Sequence, residues 1–178
     1  FPGAFVAARN DRALYVQAVG AVAGRGTYQL GARLDDNSAF GTFRTVRLAA
    51  SWALVGAWRV RAAIGSAFRA PTFYENFATG YVLGNAALAP EQSRSREFGL
   101  DGASHGVVLS LTAYQQRFRD LIQYTSAPPA RNEPNYYNVA AANADGVEAT
   151  VGFVLPLALL AGVAFRAKDT SNAYLAEV

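Results

Sequence analysis

Residues 44–69 read RTVRLAASWALVGAWRVRAAIGSAFR, and their alternation decides the fold. From Arg44 to Leu54 the even positions hold Arg44, Val46, Leu48, Ala50, Trp52 and Leu54, while the odd ones hold Thr45, Arg47, Ala49, Ser51 and Ala53. One set is apolar beyond its first residue; the other is small and polar and carries a charge. A period of two belongs to a strand, whose successive side chains point to opposite faces. After Val55 to Trp58 the pattern resumes, with Val60, Ala62, Ile64, Ser66 and Phe68 against Arg59, Arg61, Ala63, Gly65, Ala67 and Arg69. So short a link between two alternating runs makes a hairpin.

The same period extends outward in both directions. Tyr28, Leu30, Ala32 and Leu34 oppose Gln29, Gly31, Arg33 and Asp35; Val107, Leu109, Leu111 and Ala113 oppose Val108, Ser110, Thr112, Tyr114 and Gln116. Val147, Ala149, Val151, Phe153 and Leu155 oppose Glu148, Thr150, Gly152 and Val154. Alternation alone also fits a soluble sandwich, so strand length is what discriminates. Crossing hydrocarbon takes about 9–11 tilted residues, whereas strands of soluble proteins run near five or six. Thr42 to Leu54, Arg59 to Arg69 and Gly106 to Arg117 all reach the membrane length.

The links point the same way. They are short near Ala23 to Gly26, Val55 to Trp58, Gly102 to Gly106 and Pro156 to Leu157, and long from Ala70 to Gln92 and from about Asp120 to Asn138. Short turns at one rim under long loops at the other are the layout of outer-membrane barrels. Phe43, Trp52, Trp58, Phe68, Phe118, Tyr136 and Tyr137 fall near strand ends, where an interfacial aromatic girdle would sit. The predicted fold is therefore all-β: an antiparallel meander of long transmembrane strands forming an open fragment of a larger outer-membrane β-barrel. The strands are placed near residues 3–9, 12–22, 26–36, 42–55, 58–69, 93–103, 106–123 and 138–155, with a further one from 158.

Composition removes other classes. The 178 residues include no Cys and one His, so disulfide scaffolds, thiol nucleophiles and cysteine or histidine metal clusters are excluded. The apolar run from Val151 to Phe165 is broken by Gly152, Pro156 and Gly162, so it is not a membrane-crossing helix. A net charge of +3 is small, and the arginines read as spread singly, without the patch that would track a phosphate backbone. Glu91 and Glu97 lack the partners of a paired-carboxylate hydrolase, and His105 reads as a turn residue. Gly20, Gly24 and Gly26 lack the helix and basic residue of a phosphate loop. The expectation is a protein that is no enzyme, with no cofactor, no metal site and no nucleic-acid partner. The chain opens at Phe1 without an initiator Met and closes at Val178 in what reads as a loop or strand, so a piece of a longer barrel is expected.

Residues 63–100 read AIGSAFRAPTFYENFATGYVLGNAALAPEQSRSREFGL. Phe68, Arg69, Ala70 and Pro71 close a strand; Gly84, Asn85, Leu88, Pro90 and Glu91 form a turn; Ser93, Glu97 and Gly99 open the next strand. Gly31, Arg33, Asp35, Asp36 and Asn37 precede this run, Tyr114, Arg117, Asp120, Leu121 and Ile122 follow it, and Asn143, Gly146, Val147 and Glu148 come later. Taken in order, the set resembles the barrel of TonB-dependent outer-membrane receptors, in their cobalamin and siderophore branch. The resemblance implies that residues 1–178 are a partial barrel domain without the plug domain, its coupling box, the early strands and the closing strand. It further implies a multi-pass barrel in a Gram-negative outer membrane that imports a scarce chelate, an iron–siderophore or cobalamin. Its partners would be outer-membrane lipid and, through the plug region, an energy-coupling inner-membrane complex. A passive porin-like or adhesive barrel, or a soluble all-β binding module, is the alternative.

Two groups of candidate site residues follow. Arg33, Arg47, Arg61, Arg69, Glu97 and Glu148 fall on the proposed lumen face, since an unpaired Arg facing lipid at mid-depth costs about 2–4 kcal/mol. Asp101 reads as a rim residue. Phe73, Tyr74, Phe77 and Tyr81 crowd the first long loop, and Tyr136 and Tyr137 border the second; rings on surface loops offer contact area at low entropic cost, so these six are the ligand-contact candidates.

Overall fold

The computed structural model describes residues 5–154 and 160–169. Eight strands form one sheet in sequence order: β1 (Asp11–Val22), β2 (Gly26–Asn37), β3 (Gly41–Ala53), β4 (Arg59–Arg69), β5 (Glu91–Ser104), β6 (Val107–Tyr124), β7 (Tyr136–Val154) and β8 (Leu160–Asp169). Every neighbouring pair is antiparallel, so the sheet is a meander without crossovers. The strands run from 10 to 19 residues, long enough to span hydrocarbon when tilted. One short helix, α1 (Phe73–Phe77), interrupts the link between β4 and β5.

The register sorts side chains onto two faces. Leu48 opposes Ile64, Trp52 opposes Val60, Val60 opposes Leu100, and Leu100 opposes Leu111. Leu109 opposes Val151 and Val107 opposes Phe153, which carries the apolar face on to β7. Among the described residues nothing covers it: Leu48, Ile64, Leu111 and Phe153 are each 39–47% exposed. A sandwich would have buried these side chains against a second sheet. Among the described residues the buried apolar side chains are Pro71, Ala78, Leu88, Ile122 and Val139, all near the long-loop rim. A sheet with one bare apolar face and its only buried cluster at one end is a wall, not a domain with a core.

Three expectations need correction. Residues 5–9 are not a strand; residues 1–4 of that expected span lie outside the described residues. The chain instead crosses the long-loop rim, where Arg9 Nη1 donates to Pro71 O at 2.9 Å and its guanidinium lies 5.0 Å from the Phe73 ring and 5.5 Å from Phe40. The second long link is shorter than expected. β6 persists to Tyr124 and β7 begins at Tyr136, because cross-strand pairs continue past Asp120 even though its φ is +54°. The third concerns α1, which the period-two reading had no means of finding. The link near Pro156 to Leu157 and the start of the strand expected from 158 lie outside the described residues, and β8 occupies 160–169.

β3 and β4 part before their ends. Their ladder stops at Arg47 opposite Gly65. Beyond it, Val46 N donates to the Ser66 hydroxyl at 3.0 Å, and Phe43 and Phe68 stack with ring centroids 4.3 Å apart.

Candidate functional site

All six expected charges lie on the face opposite the apolar one. Gly31 opposes Arg47, Arg61 opposes Gly99, Glu97 opposes Ala63, Arg69 opposes Glu91 and Glu148 opposes Thr112, while Arg33 opposes Thr45. The register brings some of them together. Arg61 is the hub: Nε donates to Asp101 Oδ2 at 3.0 Å, and its two terminal nitrogens reach Glu97 and Thr112. Ser110 donates to the other Asp101 oxygen at 2.6 Å. This side chain crosses a whole strand to reach Thr112, and it can do so because Gly99 lies beneath it. A Cβ at Gly99 would fall 2.5 Å from the guanidinium. Asp101, expected at a rim, is thus a member of the network, as are Ser110 and Thr112. Cross-strand register alone unites them, and the sequence carries that only through the short turn that sets β5 against β6.

Arg33 and Arg47 lie away from that network. Arg33 grips Asp35, two residues along its own strand, with hydrogen bonds of 2.6–2.9 Å. Arg47 is exposed and flanked across its neighbours by Gly31 and Gly65.

Arg69 belongs to a second assembly, which fastens the first long loop. Its guanidinium binds Glu75 at 3.0–3.1 Å and Glu91 at 2.5 Å. The other Glu91 oxygen, Oε1, accepts from Ile122 N at 2.8 Å. Thr72 caps α1 by accepting from Glu75 N at 3.1 Å, and Thr72 N donates to Glu75 Oε2 at 2.6 Å, a reciprocal capping box. Burial pushes the Glu75 carboxyl up, yet the hydrogen bonds from Arg69 and Thr72 prevail and hold it below the ordinary glutamate value.

Asparagines complete the fastening. Asn85 Nδ2 donates to Tyr136 O at 3.0 Å, Asn135 Oδ1 accepts from Leu83 N at 2.8 Å, and Asn138 both accepts from Ala89 N and donates to Ala89 O. Gly84 passes so close to α1 that a Cβ there would lie 2.6 Å from backbone atoms of Asn76, Phe77 and Ala78. The motif residues of this segment thus have structural work: Gly84 allows the approach, Asn85 bridges to β7, Leu88 is 3% exposed, and Glu91 ties two strands to the loop.

The six loop aromatics divide. Tyr74 meets Tyr136 edge-on at 6.3 Å, and Tyr136 meets Tyr124 at 5.3 Å. Phe73 stacks with Phe77 at 6.5 Å. Tyr81 stands free at 105% exposure. Tyr137 follows Tyr136 in β7 and so points to the opposite face. Tyr124, outside the expected set, belongs with the cluster.

The expectation that the arginines are spread singly is overturned by the register. Arg94 opposes Arg117, Arg96 opposes Gln115 and Arg119 opposes Gln92, all on the face of Ile64 and near the long-loop rim. Residues distant in sequence meet because antiparallel pairing folds them onto one patch.

A family profile described as TonB dependent receptor-like, beta-barrel, matches residues 4–177. The vitamin B12 transporter BtuB of Vibrio cholerae serotype O1 is 35% identical over 122 residues, which is 68% of this chain and 19% of that protein. The chain therefore spans about a fifth of the length of the curated relatives it matches. The solved siderophore receptor PirA of Pseudomonas aeruginosa superposes with a TM-score of 0.75 at 28% identity, covering 90% of this chain and 32% of that one. The copper transporter OprC superposes at 0.74 with 15% identity, covering 93% and 29%, a likeness of fold alone.

Proposed function

Because the chain belongs to the TonB-dependent receptor β-barrel family, we propose that it forms part of the wall and outer loops of an energy-coupled importer of a scarce chelate, an iron–siderophore or cobalamin. The family resides in the outer membrane of Gram-negative bacteria as β-barrels. On this reading the apolar face meets lipid, and the face with Arg33, Arg47, Arg61, Arg69, Glu97 and Glu148 lines the lumen. There the Arg61 network offers polar groups to a plug domain, and the long loops face outward.

The observation that carries the reading is the two-faced register running through a chain matched to the family over residues 4–177. A wall between hydrocarbon and an occupied lumen needs that division on every strand, since charges facing lipid are costly. Loop aromatics supply the contact surface, with Tyr74, Tyr136, Phe73 and Phe77 held by the fastened loop and Tyr81 at an exposed tip, while Tyr137 stands on the opposite face of β7. Rings on a fastened loop lose little entropy on binding.

The test is uptake by cells carrying the full-length protein. Labelled ferric siderophores and cobalamin are supplied with and without the inner-membrane coupling complex. Energy-coupled import requires that accumulation of one of them stop when the complex is deleted. Accumulation that persists at the same rate would identify a passive pore instead.

A further inference from the structure

The upper halves of β3 and β4 are two lips that no ladder joins. β3 stays paired to β2 as far as Gly41, and β4 to β5 as far as Arg69, yet the two strands share no rung above Arg47 and Gly65. The aromatic pair at this seam reports a gap. Alternation puts Phe43 on the face of Arg47 and Phe68 on the face of Ile64. Rings on opposite faces of a continuous sheet cannot meet, but these two stack at 4.3 Å and 8° from parallel. They meet inside the opening. Residues 42–46 and 64–68 line a cavity of about 810 Å³ along it. The seam begins above the apolar band, since the next residue on the face of Ile64 is Ser66, opposite Arg94. Unpaired strand edges are excluded from hydrocarbon and are tolerated at that height.

Residues 5–10 bridge the two sides of the opening. Asn10 N donates to the Ser38 hydroxyl at 3.0 Å and Ser38 N donates to Asn10 O at 2.9 Å, so the segment that enters β1 lies against the tip of the β2–β3 hairpin. Arg9 then reaches across. Its guanidinium lies 5.5 Å from the Phe40 ring at that tip and 5.0 Å from the Phe73 ring in α1, and Nη1 donates to Pro71 O at 2.9 Å. Phe5 meets Phe77 of α1 at 6.1 Å. Phe40 belongs to the hairpin that carries one lip; Pro71 and Phe73 belong to the link that continues the other. The contact is shielded, because the Arg9 side chain is 16% exposed and Pro71 is buried. A cation so desolvated gains most from ring faces. Asp11, 3.7 Å from Arg9 Nε, supplies the countercharge.

We infer that residues 5–9 are a latch over the β3–β4 seam. While Arg9 is seated between Phe40 and Phe73, the lips are held together and the two rings fill the gap. When Arg9 leaves, the β2–β3 tip swings away from β4 and the seam becomes a window through the wall, above the apolar band and below the loops. Only the window's being a passage through a membrane wall rests on the barrel reading above; the latch rests on the sheet.

The experiment measures pulsed dipolar distances between spin labels in the full-length protein in lipid vesicles. One pair, at Ala39 on the hairpin tip and Ala86 in the β4–β5 loop, spans the latch; a second, at Ala86 and Ala130, spans the two fastened loops. All three positions are exposed. Arg9→Gln should raise the long-distance population of the first pair roughly tenfold, the scale of losing a partly desolvated cation–π contact together with a hydrogen bond from a charged donor. The second pair should not change. A label at Thr45, half-buried on one lip, should become more accessible to aqueous quencher in the same variant. Phe40→Leu should open the first pair less, and should add little in the Arg9→Gln background, because both act through one contact. Resistance of the barrel to SDS at room temperature checks folding of each variant. An unchanged first pair, equal changes in both pairs, an unchanged Thr45 label, or additive effects of the two substitutions would each overturn the inference. A label at Leu48 that lipid-soluble quencher does not reach would remove the membrane reading and leave the latch standing.

Discussion

Gly99 shows how a single missing side chain organises a site. Arg61 lies across it to reach Thr112 while holding Asp101 and Glu97. Gly99→Val should therefore displace Arg61 and not merely crowd it. The ion pairs are partly exposed, so each loss should amount to about 1 kcal/mol or less. In an Arg61→Ala background Gly99→Val should cost little further, and unfolding of the four proteins by urea in lipid vesicles measures that coupling. Additive losses would mean that Gly99 acts through something other than Arg61. A second residue-scale prediction concerns Glu75, whose carboxyl is held below its ordinary value. A lowered value means that its contribution is complete above the unfolded-state pKa, about 4.3, and is lost as pH falls through the folded one. Protection of the Thr72 amide should be flat from pH 7 to 5 and fall below about pH 4. Glu75→Gln should lower protection across that range and remove the step. Alternation was enough to place Arg61, Glu97 and Glu148 on one face. It could not place Asp101, Ser110 and Thr112 with them, because partnership across a sheet depends on registers that a single strand does not carry.

At the scale of elements, the strands were legible and the connections less so. Period two extends through β2, β3, β4, β6 and β7 because each of these strands has one apolar and one polar side, and that asymmetry is written in consecutive residues; β5, with Arg94 and Arg96 on the apolar face, breaks it. α1 is only five residues long, too short for a helical period to register. Its one sequence signal is Thr72 followed three residues later by Glu75, the pattern of a capping box. Asp120 misled for a different reason. Its short polar side chain tolerates a positive φ, so a residue that reads as a loop start sits inside a continuing strand. The strand placed at 106–123 runs through it as expected, and the loop that follows is held against its neighbour by Asn85, Asn135 and Asn138. Gly84→Ala should break that closure, since the atoms it would strike are backbone and cannot swing aside. Intact cells carrying the full-length variant should lose the loop to external chymotrypsin about tenfold faster, with cleavage after Phe77 or Tyr81, in keeping with local opening of a few kcal/mol. Asn85→Ala should accelerate it less. Unchanged cleavage for Gly84→Ala would show that the close approach does not hold the loop.

The molecule as a whole is a sheet with two solvents. Leu48 and Arg47 are neighbours in β3 that belong to opposite faces, so they report on both at once. With spin labels at each position in the reconstituted full-length protein, lipid-soluble quencher should reach position 48 and aqueous quencher position 47. If both answer only to the aqueous reagent, the strand is not in a bilayer. Among the described residues, the ladder between β3 and β4 ends before its strands do. A ladder is stiff because load on one strand is shared by every rung to the next, and the rungs between β3 and β4 end at Arg47 and Gly65. Above that point tension passes through one serine hydroxyl and a pair of stacked rings. Neither resists shear as a row of amides does. The upper part of this wall can therefore bend about that line while the lower part stays taut, so the loop-bearing rim is mechanically compliant on a rigid base.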